Sequence, residues 1–253
     1  MIEVKDLRVV YRPWNIEALK GIYLSIPRNK VICVLGPNAS GKTTLLKSIA
    51  NLIDYEGVIL IDKVNTRKLG KLFRKMISYT SSIEKTKFLG VSVLDALLIS
   101  RYPVSKGFID TREDYEEVER IAKELGITHL LRRRIDELSS GELQKVVLAM
   151  ALVKKPSTLL LDEPDNHLDI GMKPFLSRFL RRISSELTVI LSTHDPLFAT
   201  HVCDYYILLH NGVVKFMGTH EDLVKNTKIL EEVFGVGFEL IETEARKIIV
   251  PIY

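Results

Sequence analysis

GPNASGKTT at residues 36–44 meets the phosphate-loop pattern G-x-x-x-x-G-K-[ST]. Just before it, residues 31–35 form an unbroken apolar run, VICVL, short enough for a strand buried on both faces. Just after it, Leu45, Leu46, Ile49 and Ala50 recur at helical spacing. Strand, Gly-rich turn and helix therefore follow in the order the pattern requires. In such a loop the backbone N–H groups and the positive end of the helix dipole surround phosphates, with Gly36, Pro37, Asn38, Ala39, Ser40, Gly41 and Thr44 supplying the frame. Lys42 reaches the β and γ oxygens of a bound nucleotide, and the Thr43 hydroxyl binds Mg²⁺. A plain Gly-rich turn would need neither the lysine nor the flanking elements. The loop alone fits a GTPase, a kinase or a helicase-like motor, and the lack of an N-K-x-D base-reading motif counts against the first.

TLLLDEPD at 158–165 is an apolar strand ending in two carboxylates, where an open α/β sheet delivers side chains to its ligand crevice. Asp162 is placed to hold Mg²⁺ through water. Glu163, next to it, projects to the other side of the strand and can orient or deprotonate an attacking water. Read alone, the two charges could simply solvate a strand end; beside a phosphate loop that reading loses ground.

Further out, changes of hydrophobic period mark the remaining elements. Residues 2–11, 18–26, 57–61, 77–80, 158–161 and 188–192 read as strands, and 93–100 as a helix. Thr111 and Asp114 form a capping-box pattern before Tyr115, Val118, Ile121, Ala122 and Leu125, and Gly126 supplies the stop. Phe175, Leu176, Phe179, Leu180 and Ile183 line one side of another helix. The alternation argues for a parallel sheet with crossover helices, and Asn211-Gly212 between 205–210 and 213–217 for a type I′ hairpin.

The chain has 253 residues, 46% hydrophobic, with a net charge of +4 spread along its length, so the charge serves solubility and no nucleic acid is expected as a partner. The longest apolar stretch, 146–153, is too short to span a bilayer, and MIEVKDLRVVY carries charges where a signal peptide needs an apolar segment. The protein is expected in the cytoplasm unless a partner brings it to a membrane. Cys33 and Cys203 lie in apolar runs without metal-ligand spacing and read as buried inert thiols, which implies a reducing compartment. Gln144 is the one glutamine, a bias that suits a thermophile or a genome of that composition.

With the loop and the aspartate strand in place, three further segments make the chain resemble the ABC ATPase family: LSSGELQ at 138–144, DNHLD at 165–169 and LSTHDP at 191–196. The resemblance implies that Ser139, Ser140, Gly141 and Glu142 form a helix N-terminus meeting the γ-phosphate bound by a second copy. Ser139 with Glu142 is also a capping box, and both readings can hold. It implies further that Asp169 closes the D-loop, that His194 contacts the γ-phosphate, and that Tyr11, about 25 residues before the loop, stacks on adenine. Trp14 competes for that last role. The implied architecture is α/β: a RecA-like P-loop core (1–85 and 155–225) with an N-terminal antiparallel β sub-domain, an inserted α-helical sub-domain (86–154) and a C-terminal extension (226–253).

Below family level, SVLDALLISRYP at 92–103 resembles the V-x-x-x-x-x-G-R-x-P segment of iron-siderophore, haem and cobalamin importer ATPases, with Ser100 in place of the glycine. The tail 230–251 resembles their C-terminus. The implied partners are a second ATPase copy, head to tail, transmembrane permease subunits and, indirectly, a solute-binding protein, at the cytoplasmic face of the membrane. A soluble ABC ATPase of repair or translation would carry coiled-coil insertions or tandem cassettes, and a subunit without turnover would lack Lys42, Glu163 or His194. Three departures stand out. Ala39 and Ser140 replace glycines, at roughly 1 kcal/mol or more if either needs positive φ. The glutamine that the family places after strand 77–80 is missing, with Ser81 and Ser82 there instead. Ser82 takes the metal-site slot in alignment, and Glu84 is an alternative.

Overall fold

The computed structural model of the protein describes residues 1–81, 88–105, 110–166, 168–244 and 246–252. The chain runs through β1 (Ile2–Tyr11), β2 (Ile16–Ile26), β3 (Val31–Leu35), α1 (Lys42–Ile49), β4 (Glu56–Ile61), β5 (Val64–Asn65), α2 (Lys71–Met76) and β6 (Ile77–Thr80). Helices α3 (Val93–Arg101), α4 (Arg112–Glu124) and α5 (Ser140–Leu152) follow, then β7 (Thr158–Asp162), α6 (Met172–Ile183), β8 (Thr188–Thr193) and α7 (Pro196–Val202). The chain closes with β9 (Tyr205–His210), β10 (Val213–Thr219), α8 (His220–Lys225), α9 (Lys228–Phe234), β11 (Gly237–Glu242) and β12 (Lys247–Ile252).

Six strands form one sheet in the order β10-β9-β3-β8-β7-β6, parallel except for β10. Every residue of β3, β7 and β8 is buried, which is why these strands read as continuous apolar runs rather than alternating ones. Alternation instead sorts their side chains to two cores. Ile32, Val34, Leu160, Ile190 and Leu209 face α1 and an antiparallel sheet, β2-β1-β4-β5. Val31, Leu35, Leu159, Leu161, Val189 and Leu191 face α6, α7 and the helices between β6 and β7. The sheet is thus a parallel α/β layer with an antiparallel β unit on one side and a helical insertion leaving from its edge strand.

Local chemistry sets the element ends. Thr111 accepts from Asp114 N while Asp114 accepts from Thr111 N, so the capping box starts α4 as its sequence directs. Asn211 and Gly212 have φ of 50° and 79°, the left-handed pair that a type I′ turn demands between His210 and Val213. Inside the helical insertion, Arg101 Nε donates to Asp114 Oδ1 at 2.6 Å and its Nη1 to Val153 O at 2.6 Å, so one guanidinium joins α3, α4 and the end of α5. After β10, two short helices lead to the hairpin β11–β12, which packs on α7. Among the described residues no helix is long and apolar enough to cross a membrane.

The cysteines depart from expectation. Cys33 on β3 and Cys203 at the end of α7 have Cα atoms 5.8 Å apart and form a disulfide, rather than two inert thiols. α7 packs directly over β3, so a sequence separation of 170 residues closes to bonding distance. With both cysteines paired, their usage no longer argues for a reducing compartment.

Candidate active site

The loop between β3 and α1 is built around a backbone that only glycine accommodates at its end. Gly41 has φ of 106°, and a Cβ there would lie 2.8 Å from Ala18 O. Ala39 does sit at positive φ, 60°, so this departure carries the left-handed penalty of about 1–2 kcal/mol. Ser140 does not: it is the first residue of α5, with ordinary helical backbone, and its departure is free of strain.

Lys42 is only 4% exposed, and its Nζ donates to Gly36 O and Pro37 O, each at 2.9 Å. Burial pulls its ammonium below the usual lysine range, and the Glu163 and Asp162 carboxylates oppose that pull. Glu163 follows β7 with φ of 49°, a left-handed position that frees it from strand alternation. Its Oε1 lies 3.7 Å from Lys42 Nζ and 3.8 Å from His194 Nδ1, while Oε2 accepts from Asn166. The three residues read as catalytic therefore converge from the starts of α1 and the ends of β7 and β8. Strain at a non-glycine residue here fits the tendency of functional sites to store it.

Beside them, Asp162 is engaged on both oxygens. Oδ1 accepts from Thr43 Oγ1 at 3.0 Å and Ser192 Oγ at 2.6 Å, and Oδ2 accepts from Tyr79 Oη at 3.0 Å. Burial, reinforced by the neighbouring Asp162 charge, holds the Tyr79 phenol above its ordinary range.

A cavity of about 500 Å³ runs from this cluster to β2, lined by residues 38–44 of the loop and by Tyr11, Ile16, Glu163, Asn211 and others. Tyr11 reaches Thr44 Oγ1 at 3.2 Å, whereas Trp14 is 73% exposed and does not line the cavity. Ser139 caps α5: it accepts from Glu142 N and its own N–H donates to Glu142 Oε2 at 2.8 Å. Ser139, Ser140, Gly141 and Glu142 do not line the cavity of their own chain. Neither does Asp169, which is exposed and accepts from Met172 N at 2.7 Å at the start of α6. Ser81 is exposed at the end of β6; Ser82 and Glu84 lie outside the described residues.

Sequence reasoning passed over several residues of the site. Tyr79 carried no pattern of its own, being an ordinary strand residue, and Ser192 lies in the LSTHDP segment, which by itself assigns it no role. Asp165 is 4% exposed, accepts from Thr193 Oγ1 at 2.8 Å and leaves Oδ1 without a partner, tying the segment after β7 to the one carrying His194. Burial raises its carboxyl above the usual range. Gln144 donates to Pro164 O at 3.0 Å, linking α5 to the residue after Glu163; its being the one glutamine was the available signal.

The donors present fit a magnesium nucleotide. Ser40 Oγ is buried in the loop without a hydrogen-bond partner, and Lys42, two residues on, is buried as well. Thr43 Oγ1 and Asp162 Oδ1 are hard oxygens converging from two elements, the type Mg²⁺ takes while keeping several waters. Sheet, loop and carboxylates together define an ATP-hydrolysing protein of the phosphate-loop class.

Comparison with known proteins narrows the class. The ABC transporter family profile matches residues 19–166, more than half the chain. An ABC transporter ATP-binding protein of Methanocaldococcus jannaschii, MJ0089, is 32% identical over 256 residues, covering 100% of this chain and 98% of that one. The petrobactin import ATP-binding protein YclP of Bacillus subtilis is 27% identical over 254 residues, 98% of each chain. Among solved structures, cbiO1 of Clostridium perfringens, part of the ABC transporter complex cbiONQ, superimposes with a TM-score of 0.78 at 27% identity, covering 92% and 93% of the two chains. The chain belongs to the ABC transporter family, as an ATP-binding subunit.

Proposed function

We propose that this subunit powers an importer of iron-siderophore, haem, cobalamin or a similar metal chelate, working as a head-to-tail pair of copies on permease subunits at the cytoplasmic face of the membrane. The approach of Lys42 and His194 to within 3.8 Å of one carboxylate oxygen of Glu163 supports turnover rather than a silent nucleotide-binding role. Glu163 takes a proton from the attacking water as the water oxygen bonds to the γ-phosphorus and the bond from that phosphorus to the ADP oxygen breaks. Lys42 and the loop amides offset the phosphate charge, and His194 positions the γ-phosphate. Thr43 and Asp162 would hold Mg²⁺, which screens the phosphate oxygens when bound. Tyr11 would stack on adenine. Ser139, Ser140, Gly141, Glu142 and Asp169 would serve the partner copy's nucleotide, in keeping with their absence from their own chain's cavity.

The end-to-end match to a petrobactin import subunit supports the chelate class. So does the 92–103 segment, whose Arg101 anchors the helical insertion. We take residues 1–85 and 155–225 as core, 86–154 as the helical sub-domain and 226–253 as extension. The nucleotide reading is tested by calorimetry on Lys42→Ala, expected to lose measurable ATP binding; unchanged affinity refutes it. The solute class is tested by uptake of ferric siderophore, haem and cobalamin in a deletion strain, where loss of sulfate uptake alone would refute it.

A further inference from the structure

The missing glutamine leaves open which group joins strand β6 to the metal site. β6 itself supplies one. Tyr79 pairs with Leu160 of β7, two residues before Asp162, so the tyrosine and the aspartate point to the same face of the sheet. A phenol is long enough to span the roughly 6.6 Å rise of two strand residues, and its hydroxyl reaches Asp162 Oδ2 at 3.0 Å. The other oxygen faces Thr43 and Ser192. A carboxylate turns about its last bond unless both oxygens are held. A hydroxyl that binds a metal through a lone pair still donates its proton, so Thr43 and Ser192 hold Oδ1, and Tyr79 is the side-chain donor that holds Oδ2 of Asp162 among the described residues.

We propose that Tyr79 is a positioning residue for the metal site: its hydroxyl fixes Oδ2 of Asp162 so that Oδ1 is already aimed at Thr43 when the cation arrives. This rests on the reading of Thr43 and Asp162 as the Mg²⁺ site. Tyr79 touches neither nucleotide nor cation; it acts through Asp162. The link from β6 to the metal is thus a strand residue inside the sheet, where the family pattern has a loop side chain after it.

The test compares parent, Tyr79→Phe and Asp162→Asn, using Mn²⁺ as the probe cation and ADP as the nucleotide. Phenylalanine keeps the ring and its packing, so the variant differs by one hydroxyl. Mn²⁺ affinity is read by electron paramagnetic resonance, and ADP affinity separately in EDTA. Loss of an outer hydrogen bond to a metal-site carboxylate weakens metal binding by about tenfold or more. Tyr79→Phe should therefore raise the Mn²⁺ Kd about tenfold and the Mg²⁺ needed for half-maximal ATPase by a similar factor. ADP affinity in EDTA should stay within about twofold of the parent. A parent-like Mn²⁺ Kd, or an equal loss of metal-free ADP affinity, overturns the proposal. If Asp162→Asn also binds Mn²⁺ like the parent, the metal-site reading has failed; if only Asp162→Asn is impaired, the reading stands and the role of Tyr79 falls.

Discussion

Glu163→Gln removes one charge from the centre of the site while preserving its shape. In the parent, Oε1 faces Lys42 Nζ at 3.7 Å and His194 Nδ1 at 3.8 Å, and Oε2 accepts from Asn166. Glutamine keeps the Asn166 bond only by placing its carbonyl there, which turns its NH₂ toward Lys42. Two unit charges about 4 Å apart attract by about 1 kcal/mol in water and about 4 kcal/mol near a protein surface. Glu163 borders the open cavity, so the lower figure is the better guide. Lys42 keeps its bonds to Gly36 O and Pro37 O and no longer divides its charge between a carboxylate and phosphate. ATP affinity should therefore rise, by up to about fivefold for about 1 kcal/mol. The amide cannot accept the water proton, so kcat should fall by about 10²–10⁴. Single-turnover hydrolysis of γ-labelled ATP, calorimetry and size-exclusion chromatography with ATP read the three consequences: slow cleavage, tighter binding and an ATP-dependent dimer. A variant that turns over within about threefold of the parent would refute Glu163 as base, and weaker ATP binding would refute the charge argument.

Two predictions concern stability. Arg101→Met strands the Asp114 carboxylate, 2% exposed, and should cost about 3–5 kcal/mol in urea unfolding at neutral pH. Burial pushes the Asp114 carboxyl up, yet donors from Thr111, Ser105 and Arg101 outweigh it and hold the group below the usual carboxylate range. Because the folded value is the lower one, the stability it contributes is full above about pH 4 and is lost as pH falls further; Asp114→Asn should flatten that part of the acid unfolding curve. For the cysteines, thiol titration of the denatured protein should find no free thiol before reduction. Reduction should then lower stability by at most about 5 kcal/mol, the loop-closure limit for a separation of 170 residues; two titratable thiols without reductant would refute the pairing.

The chemistry of the phosphate loop, the aspartate strand and the capped helices was legible because each depends on neighbours within a few residues. VICVL followed by GPNASGKTT specifies strand, turn and helix locally, and Thr111 with Asp114 or Asn211-Gly212 fixes an element's end through its own backbone bonds. A resemblance carried by ordered motifs supplied the assembly of these parts, and the sheet order agrees with it. The C-terminal hairpin was not legible, since β11 and β12 alternate weakly and leave Leu240, Ile241 and Ile252 exposed. What only the tertiary structure decided are contacts between residues far apart in the chain. Tyr79 and Asp162 are separated by 83 residues, and Cys33 and Cys203 by 170. Their meeting depends on strand order and on α7 lying over β3, neither of which leaves a periodic trace near the residues themselves. The same holds for the choice of Tyr11 over Trp14 at the cavity and for the strained φ of Ala39 and Glu163. Propensity and spacing describe a residue's chain neighbours, whereas burial, charge pairing and backbone strain are set by whatever the completed fold brings alongside it.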